Sequence, residues 1–291
     1  MAHELKELPL IAPRKTETHK GTYGRISIIG GSFGMAGAVV LAGRGAVRSG
    51  AGLTDCVVPE RIGDIVSVKA DPCLMVKTLP SADDGTFSSE ASKSVLDTVL
   101  SSTVLAAGPG IRTSSGARFL INEIISETDA PLVLDADGLN CLALEGLDIL
   151  EKRRAPAILT PHPGEMSRLV NMPAAEIQEH RVDTAVSFAR TYSCVVVLKG
   201  AETVVADGET CYINPTGNPG MAAGGSGDVL TGIIAGILSS TALGPFEAAC
   251  AGVWVHGTAG DLGAERKGRI SLVPEDICEF IPNAFMKYPS C

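Results

Sequence analysis

The sequence predicts an α/β fold in which a mainly parallel central sheet is covered by helices on both faces. Three observations carry that expectation: short apolar runs recur along the chain, several lead into segments with helical spacing, and glycines gather at the junctions. Strands without an apolar/polar alternation are buried on both faces, as in parallel sheets flanked by crossover helices. Hydrophobic residues fill 45% of the 291 positions and charged residues 20%, which supports a large core. Aromatics are only 4%, so the core is aliphatic.

The elements follow in order. Residues 25–30 read as a strand entering a Gly-rich turn, and 38–49 as the Ala/Val/Leu helix behind it. Residues 53–58, 103–107, 131–134 and 157–160 read as further strands, the last two ending in polar turns. Residues 175–192 read as one helix and 194–198 as a β-branched strand. Residues 204–206 and 210–214 flank Asp207-Gly208 as a hairpin, and helices are expected near 228–238 and 245–262. No Pro/Ser-rich linker or internal repeat interrupts the pattern, so the reading is one domain over 19–291 behind an N-terminal arm of residues 1–18. In such sheets ligands bind beyond the carboxyl ends of the strands, which points to the turns after Ile29, Ala107, Leu134, Thr160 and Leu198.

Bulk chemistry narrows the partners. Net charge is −9 with no basic tract, which argues against nucleic acid or an anionic membrane surface as partner. The eight cysteines include no C-x-x-C pair and lie mostly in apolar runs, so they read as buried thiols in a reducing cytoplasm and not as zinc ligands. The N-terminus is too charged for a secretory signal, and the apolar stretch 229–238 is too short to span a bilayer.

The strongest motif is Gly217-Asn218-Pro219-Gly220-Met221-Ala222-Ala223-Gly224-Gly225-Ser226-Gly227-Asp228. Apolar residues at 229, 230, 233, 234, 237 and 238 set a helix directly behind it. Gly224, Gly225, Ser226 and Gly227 therefore form an anion turn, whose bare N–H groups and helix dipole favour a phosphate. Asp228 stands at its mouth as a candidate base for an attacking hydroxyl, the plainer alternative being a helix cap. No G-x-x-x-x-G-K-[ST] loop is present. The turn Gly30-Gly31-Ser32-Phe33-Gly34-Met35-Ala36-Gly37-Ala38 fails the dinucleotide fingerprint because Ser32 stands where a second glycine belongs, and it reads better as a substrate-facing loop, the plainer alternative being a structural tight turn.

Two strand-end turns add polar groups. Asp135-Ala136-Asp137-Gly138-Leu139-Asn140 and Thr160-Pro161-His162-Pro163-Gly164-Glu165 offer oxygens suited to a partly hydrated Mg²⁺ arriving with nucleotide phosphates, although Asp and Asn serve ordinary turns equally well. His162, held between two prolines, reads as a ligand contact. Lys199, followed by Gly200, Ala201, Glu202 and Thr203, is a candidate phosphate cation or simply a solvated strand end.

In order and wording these motifs resemble the NAD(P)H-hydrate dehydratases of the ribokinase-like superfamily. Further matching stretches are His19-Lys20-Gly21, Gly37-Ala38, Arg48-Ser49-Gly50-Ala51-Gly52-Leu53, Gly108-Pro109-Gly110 and His256-Gly257-Thr258-Ala259-Gly260-Asp261, and the likeness spans about residues 19 to 282. The resemblance implies a ribokinase-like three-layer sandwich and a carbon–oxygen lyase that repairs hydrated NADH and NADPH with ADP or ATP as phosphoryl donor. It implies that Ala38, Gly110, His162 and Asp228 line the hydrate site, with Asp228 catalytic. It assigns Lys199, Gly200, Ala201, Glu202, Thr203 and Gly227 to the adenine nucleotide, and Asp135 and Glu165 to Mg²⁺. It also implies a homo-oligomer, and a separate epimerase acting on the same substrate, since residues 1–18 are too few for that domain. Ser226 stands where family members commonly carry Thr, and Ala223 where they carry Thr or Ser. Two rival readings are a ribokinase-like small-molecule kinase of the hydroxyethylthiazole kinase type, and a nucleotide-binding regulatory protein without catalysis.

Overall fold

The computed structural model of the chain describes residues 2–289. Strand β1 (His3–Glu4) precedes β2 (Arg25–Ile29), helix α1 (Ala36–Arg48) and β3 (Leu53–Pro59). Next come α2 (Gly63–Lys69), β4 (Leu74–Leu79), α3 (Ala91–Val99), β5 (Val104–Ala107) and α4 (Ser115–Glu127). The middle of the chain supplies β6 (Leu132–Leu134), α5 (Asp137–Glu145), β7 (Ala157–Leu159), α6 (Pro163–Val170), α7 (Ala174–Glu179) and α8 (Arg181–Tyr192). The last third holds β8 (Val195–Leu198), β9 (Val204–Ala206), β10 (Thr210–Ile213), α9 (Ser226–Ser240), α10 (Pro245–Lys267) and α11 (Pro274–Lys287).

One sheet contains all these strands in the order β1-β10-β9-β8-β7-β6-β5-β2-β3-β4. Its pairings are parallel except where β9 meets β8 and β10. Neighbouring residues on a strand serve opposite cores. Ile29, Val57, Leu105, Leu134 and Leu159 pack into the layer shared with α3 and α4, while Ile28, Cys56, Ala106, Val133 and Ile158 pack beneath α1, α9 and α10. That two-sided burial explains why the strands read as unbroken apolar runs. The result is a three-layer sandwich, as expected.

Helices α1 and α9 cross nearly backbone to backbone. A Cβ at Gly232 would overlap the Ala42 carbonyl oxygen, and one at Gly45 would stand 2.5 Å from the Val229 carbonyl oxygen. Glycine is needed at this crossing to set α9, and therefore the turn before it, close to the sheet.

Several expectations need correction. The helix read over 175–192 is two helices, α7 and α8, broken at His180 with φ −126° and ψ 39°. The helix expected near 228–238 is α9 and begins earlier, at Ser226, after Gly225 takes a left-handed φ of 101°. Residues 2–18 are also tied to the body. β1 adds to the β10 edge, the Tyr288 hydroxyl donates to the Pro9 carbonyl at 2.7 Å, and the Arg14 guanidinium lies 3.8 Å above the Tyr23 ring.

Candidate active site

The carboxyl ends of β6, β7 and β8 and the start of α9 surround a cavity of about 850 Å³. Of the sequence-selected residues, Asp135, His162, Lys199, Gly200, Ala201, Glu202, Thr203, Gly225, Ser226, Gly227 and Asp228 line it. Gly224 is exposed beside it, and Glu165 is buried behind His162. Ala38 and Gly110 are not in this wall. They pack against each other on the β2–β5 side, where a Cβ on Gly110 would come 3.1 Å from that of Ala38.

Asp228 is the third residue of α9, inside the helix and not at its cap position. No side chain caps α9. The Ser226 amide is taken by the Ala223 carbonyl at 3.2 Å, whereas an uncapped helix leaves those of Gly227 and Asp228 without an intrahelical partner. The plain capping role for Asp228 is therefore not what this geometry shows. Burial first, then the neighbouring Asp135 charge, raises the Asp228 carboxyl to about 7, against the pull of Lys199. A carboxyl so poised exchanges its proton near neutrality.

Around it runs a fixed polar cluster. Lys199 Nζ donates to Asp135 Oδ1 at 2.6 Å and lies 3.7 Å from Glu165 Oε2. Burial alone would disfavour its ammonium, but Asp135 and Glu165 more than offset this and hold its pKa above the usual lysine value. Thr231, fully buried one helical turn beyond Gly227, donates to Asp135 Oδ2 at 2.7 Å. A Cβ at Gly227 would come 3.3 Å from Lys199 Nζ, so the glycine turn and the lysine are close neighbours in the wall.

His162 has a local duty as well as a place in the wall. Its Nδ1 accepts the amides of Gly164 at 2.9 Å and Glu165 at 3.3 Å, while Glu165 Oε2 accepts the His162 amide at 2.8 Å. This reciprocal cap starts α6 and leaves the neutral ring's proton on Nε2, 3.4 Å from Glu165 Oε1. Burial lowers the His162 pKa, with Lys199 and Arg168 acting in the same sense against Glu165.

The far wall is the loop between β10 and α9, held by one face of α10. Asp261 accepts the Gly217 amide and the Asn218 side-chain amide, each at 2.9 Å. Thr216 donates to the Trp254 carbonyl at 3.2 Å, and Asn214 to that of Val253 at 3.2 Å. Burial drops His256 to about 4, so its neutral ring donates from Nε2 to the Ser226 carbonyl at 3.0 Å. Beneath the Lys199 loop, Arg181 donates to the Leu198 carbonyl at 2.9 Å. Thr231 and Arg181 escaped the sequence reading. Thr231 carried a faint signal, four residues after Gly227 on the same helical face; Arg181 carried none.

Among the described residues no group of three acidic, His or Cys side chains is arranged to hold a metal. Both Asp135 oxygens are engaged by Lys199 and Thr231, and one Glu165 oxygen by the His162 amide. The carboxylates thus offer no open cage; they fit an ion that keeps its own waters.

The family model described as NAD(P)H-hydrate dehydratase matches residues 26–283. The bifunctional NAD(P)H-hydrate repair enzyme Nnr of Moorella thermoacetica is 44% identical over 92% of this chain and 50% of its own length. The chain thus spans about half the length of such bifunctional relatives. The ADP-dependent (S)-NAD(P)H-hydrate dehydratase of Bacillus subtilis is 34% identical over 94% of both chains. A crystal structure of the ADP/ATP-dependent NAD(P)H-hydrate dehydratase from Bacillus subtilis, co-crystallised with ATP/Mg²⁺, superposes with a TM-score of 0.82 at 31% identity, covering 96% of this chain and 95% of that one. The three-layer architecture is ribokinase-like. On its fold, its site and these matches, the chain belongs to the NAD(P)H-hydrate dehydratase family.

Proposed function

We propose that the protein dehydrates the hydrated forms of NADH and NADPH, using an adenine nucleotide to turn the ring hydroxyl into a leaving group. One observation carries this reading: the Asp228 carboxyl, raised to about 7, stands beside the uncapped amides of α9 at the edge of the cavity. Hydroxide leaves poorly, so the hydroxyl oxygen first attacks the terminal phosphorus of the nucleotide. Asp228 takes the hydroxyl proton, and the amides of Gly227 and Asp228, with Lys199, stabilise charge on the transferred phosphoryl group. The phosphate then departs with the electron pair of the carbon–oxygen bond, a proton leaves the neighbouring ring carbon, and the double bond returns.

The nucleotide occupies the cavity between residues 199–203 and the wall on α10, and the hydrate ring approaches Asp228 from the side of Ala38, Gly110 and His162. Mg²⁺ carried on the nucleotide phosphates would meet Asp135 and Glu165 through its waters and neutralise phosphate charge. Seven of the cysteines are free thiols, and six of them are buried, which supports a reducing cytoplasmic setting. No helix among the described residues is long and apolar enough to cross a membrane.

The test is recovery of reduced-nicotinamide absorbance from hydrated NADH or NADPH, with ADP and ATP supplied in turn. Recovery is expected with at least one nucleotide. Asp228→Asn should lower kcat about a hundredfold or more while nucleotide binding persists. No recovery with either nucleotide would reject the activity, and accumulation of a phosphorylated alcohol would identify a kinase instead.

A further inference from the structure

We propose that Arg112 and Arg168 form an anion subsite on the hydrate side of Asp228 and hold a phosphate group of the dinucleotide substrate. The proposal rests on the dehydratase reading above and adds how the non-reacting part of the substrate is gripped. Both arginines meet the turn that opens α5, Arg112 through its backbone amide and Arg168 through its guanidinium. The Arg112 amide donates to Asp137 Oδ2 at 3.0 Å, Asn140 donates to Asp137 Oδ1 at 2.9 Å, and Arg168 Nε donates to Asn140 Oδ1 at 2.7 Å. This Asp137–Asn140 unit links the Arg112 backbone to the Arg168 side chain, and it lies by the hydrate-side residues, since Arg112 follows Gly110 by two residues and Arg168 stands on α6 behind its cap residue His162.

Both arginines are exposed and have donors to spare. Arg112 spends one N–H on the Phe33 carbonyl at 2.9 Å, and Arg168 spends Nε on Asn140. The arginines in ion pairs among the described residues are Arg25, Arg44, Arg61 and Arg118, so neither of these two is neutralised by a carboxylate contact. Asp84 lies near enough to feel the Arg112 charge without pairing with it. Arg112 is also held at a left-handed φ of 59°, which a non-glycine residue rarely adopts without a partner to hold it there. That conformation lets its amide reach Asp137 while its guanidinium reaches the loop carrying Phe33. In a protein of net charge −9, two unpaired guanidinium groups beside the catalytic turn suit a phosphate, which accepts their planar forks. The nucleotide phosphates already have Lys199 and the α9 amides on the other side, so this pair is left for the dinucleotide.

The experiment measures binding of NADH, NADPH and ADP by calorimetry, and KM for both hydrates, in the full chain and in Arg112→Lys, Arg168→Gln and the double variant. Arg168→Gln leaves the contact to Phe33 intact, so it reads the subsite apart from the loop. Each single variant should weaken dinucleotide binding and raise hydrate KM about tenfold, with added salt eroding the wild-type advantage, while ADP affinity stays unchanged. Equal loss for NADH and NADPH assigns the diphosphate; loss confined to NADPH assigns the 2′-phosphate. Unchanged dinucleotide binding, or weakening of ADP instead, would overturn the subsite while leaving the dehydratase reading standing. A wild-type protein that binds no dinucleotide would remove both.

Discussion

Asp228 places function and folding in opposition. Its folded-state proton affinity is raised to about 7 by burial and by Asp135, so the carboxylate that the proposed reaction uses as base forms only as pH rises through that value. The rate of the chemical step should therefore climb with pH to a plateau above about 7 and fall roughly tenfold per unit below about 6; a flat profile between pH 5 and 8 would separate Asp228 from proton transfer. The same shift has a consequence for stability. A carboxyl that holds its proton more tightly when folded favours folding below the ordinary carboxylate range, and that contribution is lost as pH rises through about 7. At neutral pH the ionised group opposes folding, so Asp228→Asn should stabilise the protein by about 1 kcal/mol or more, read as a higher urea midpoint, while it lowers activity. Asp228 was legible in sequence because a dense glycine run stood directly before helical spacing. Thr231 was not, since its role depends on Asp135, 96 residues away, and Arg112 owes its conformation to Asp137, 25 residues on.

At the scale of the element, α9 does two jobs with one set of glycines. Its first turn presents amides to the cavity, and its middle lies against α1, where Gly232 leaves no room for a methyl group beside the Ala42 carbonyl. Gly232→Ala should destabilise the protein by about 1–3 kcal/mol through overpacking, seen as a lower melting temperature. It should also weaken nucleotide binding, because the anion turn moves with the helix; a variant of wild-type stability would show that the crossing is looser than it looks. The elements most visible in sequence were the central strands, whose burial on both faces gave short unbroken apolar runs. Edge strand β4, with Met75 37% exposed and Lys77 turned to Asp55 at 2.9 Å, has no such run and was not read as a strand. Helical spacing continues unbroken past His180, so the break between α7 and α8 left no mark on the pattern. Arg181, the first residue of α8, is tied across the fold to the Leu198 carbonyl, a contact no local pattern announces.

For the whole molecule, the N-terminal arm closes an otherwise open side of the sheet. β1 covers the outer edge of β10, and the Tyr288 hydroxyl fastens Pro9 to the end of α11. Deleting residues 2–12 should expose that edge, lower stability by about 1–3 kcal/mol and promote association through strand pairing. Thermal melting and sedimentation would register both effects. An unchanged, monodisperse truncated protein would show the arm to be dispensable.

The indole of Trp254, the only one in the sequence, sits where these parts converge. The Trp254 carbonyl receives Thr216 from the far wall of the cavity, and its ring meets Tyr288 edge-on, with centroids 5.3 Å apart. Tyr288 in turn grips the arm. The protein consequently carries a built-in optical reporter, whose emission under selective excitation should change on release of the N-terminal segment and, through Thr216, on nucleotide arrival, with no label attached.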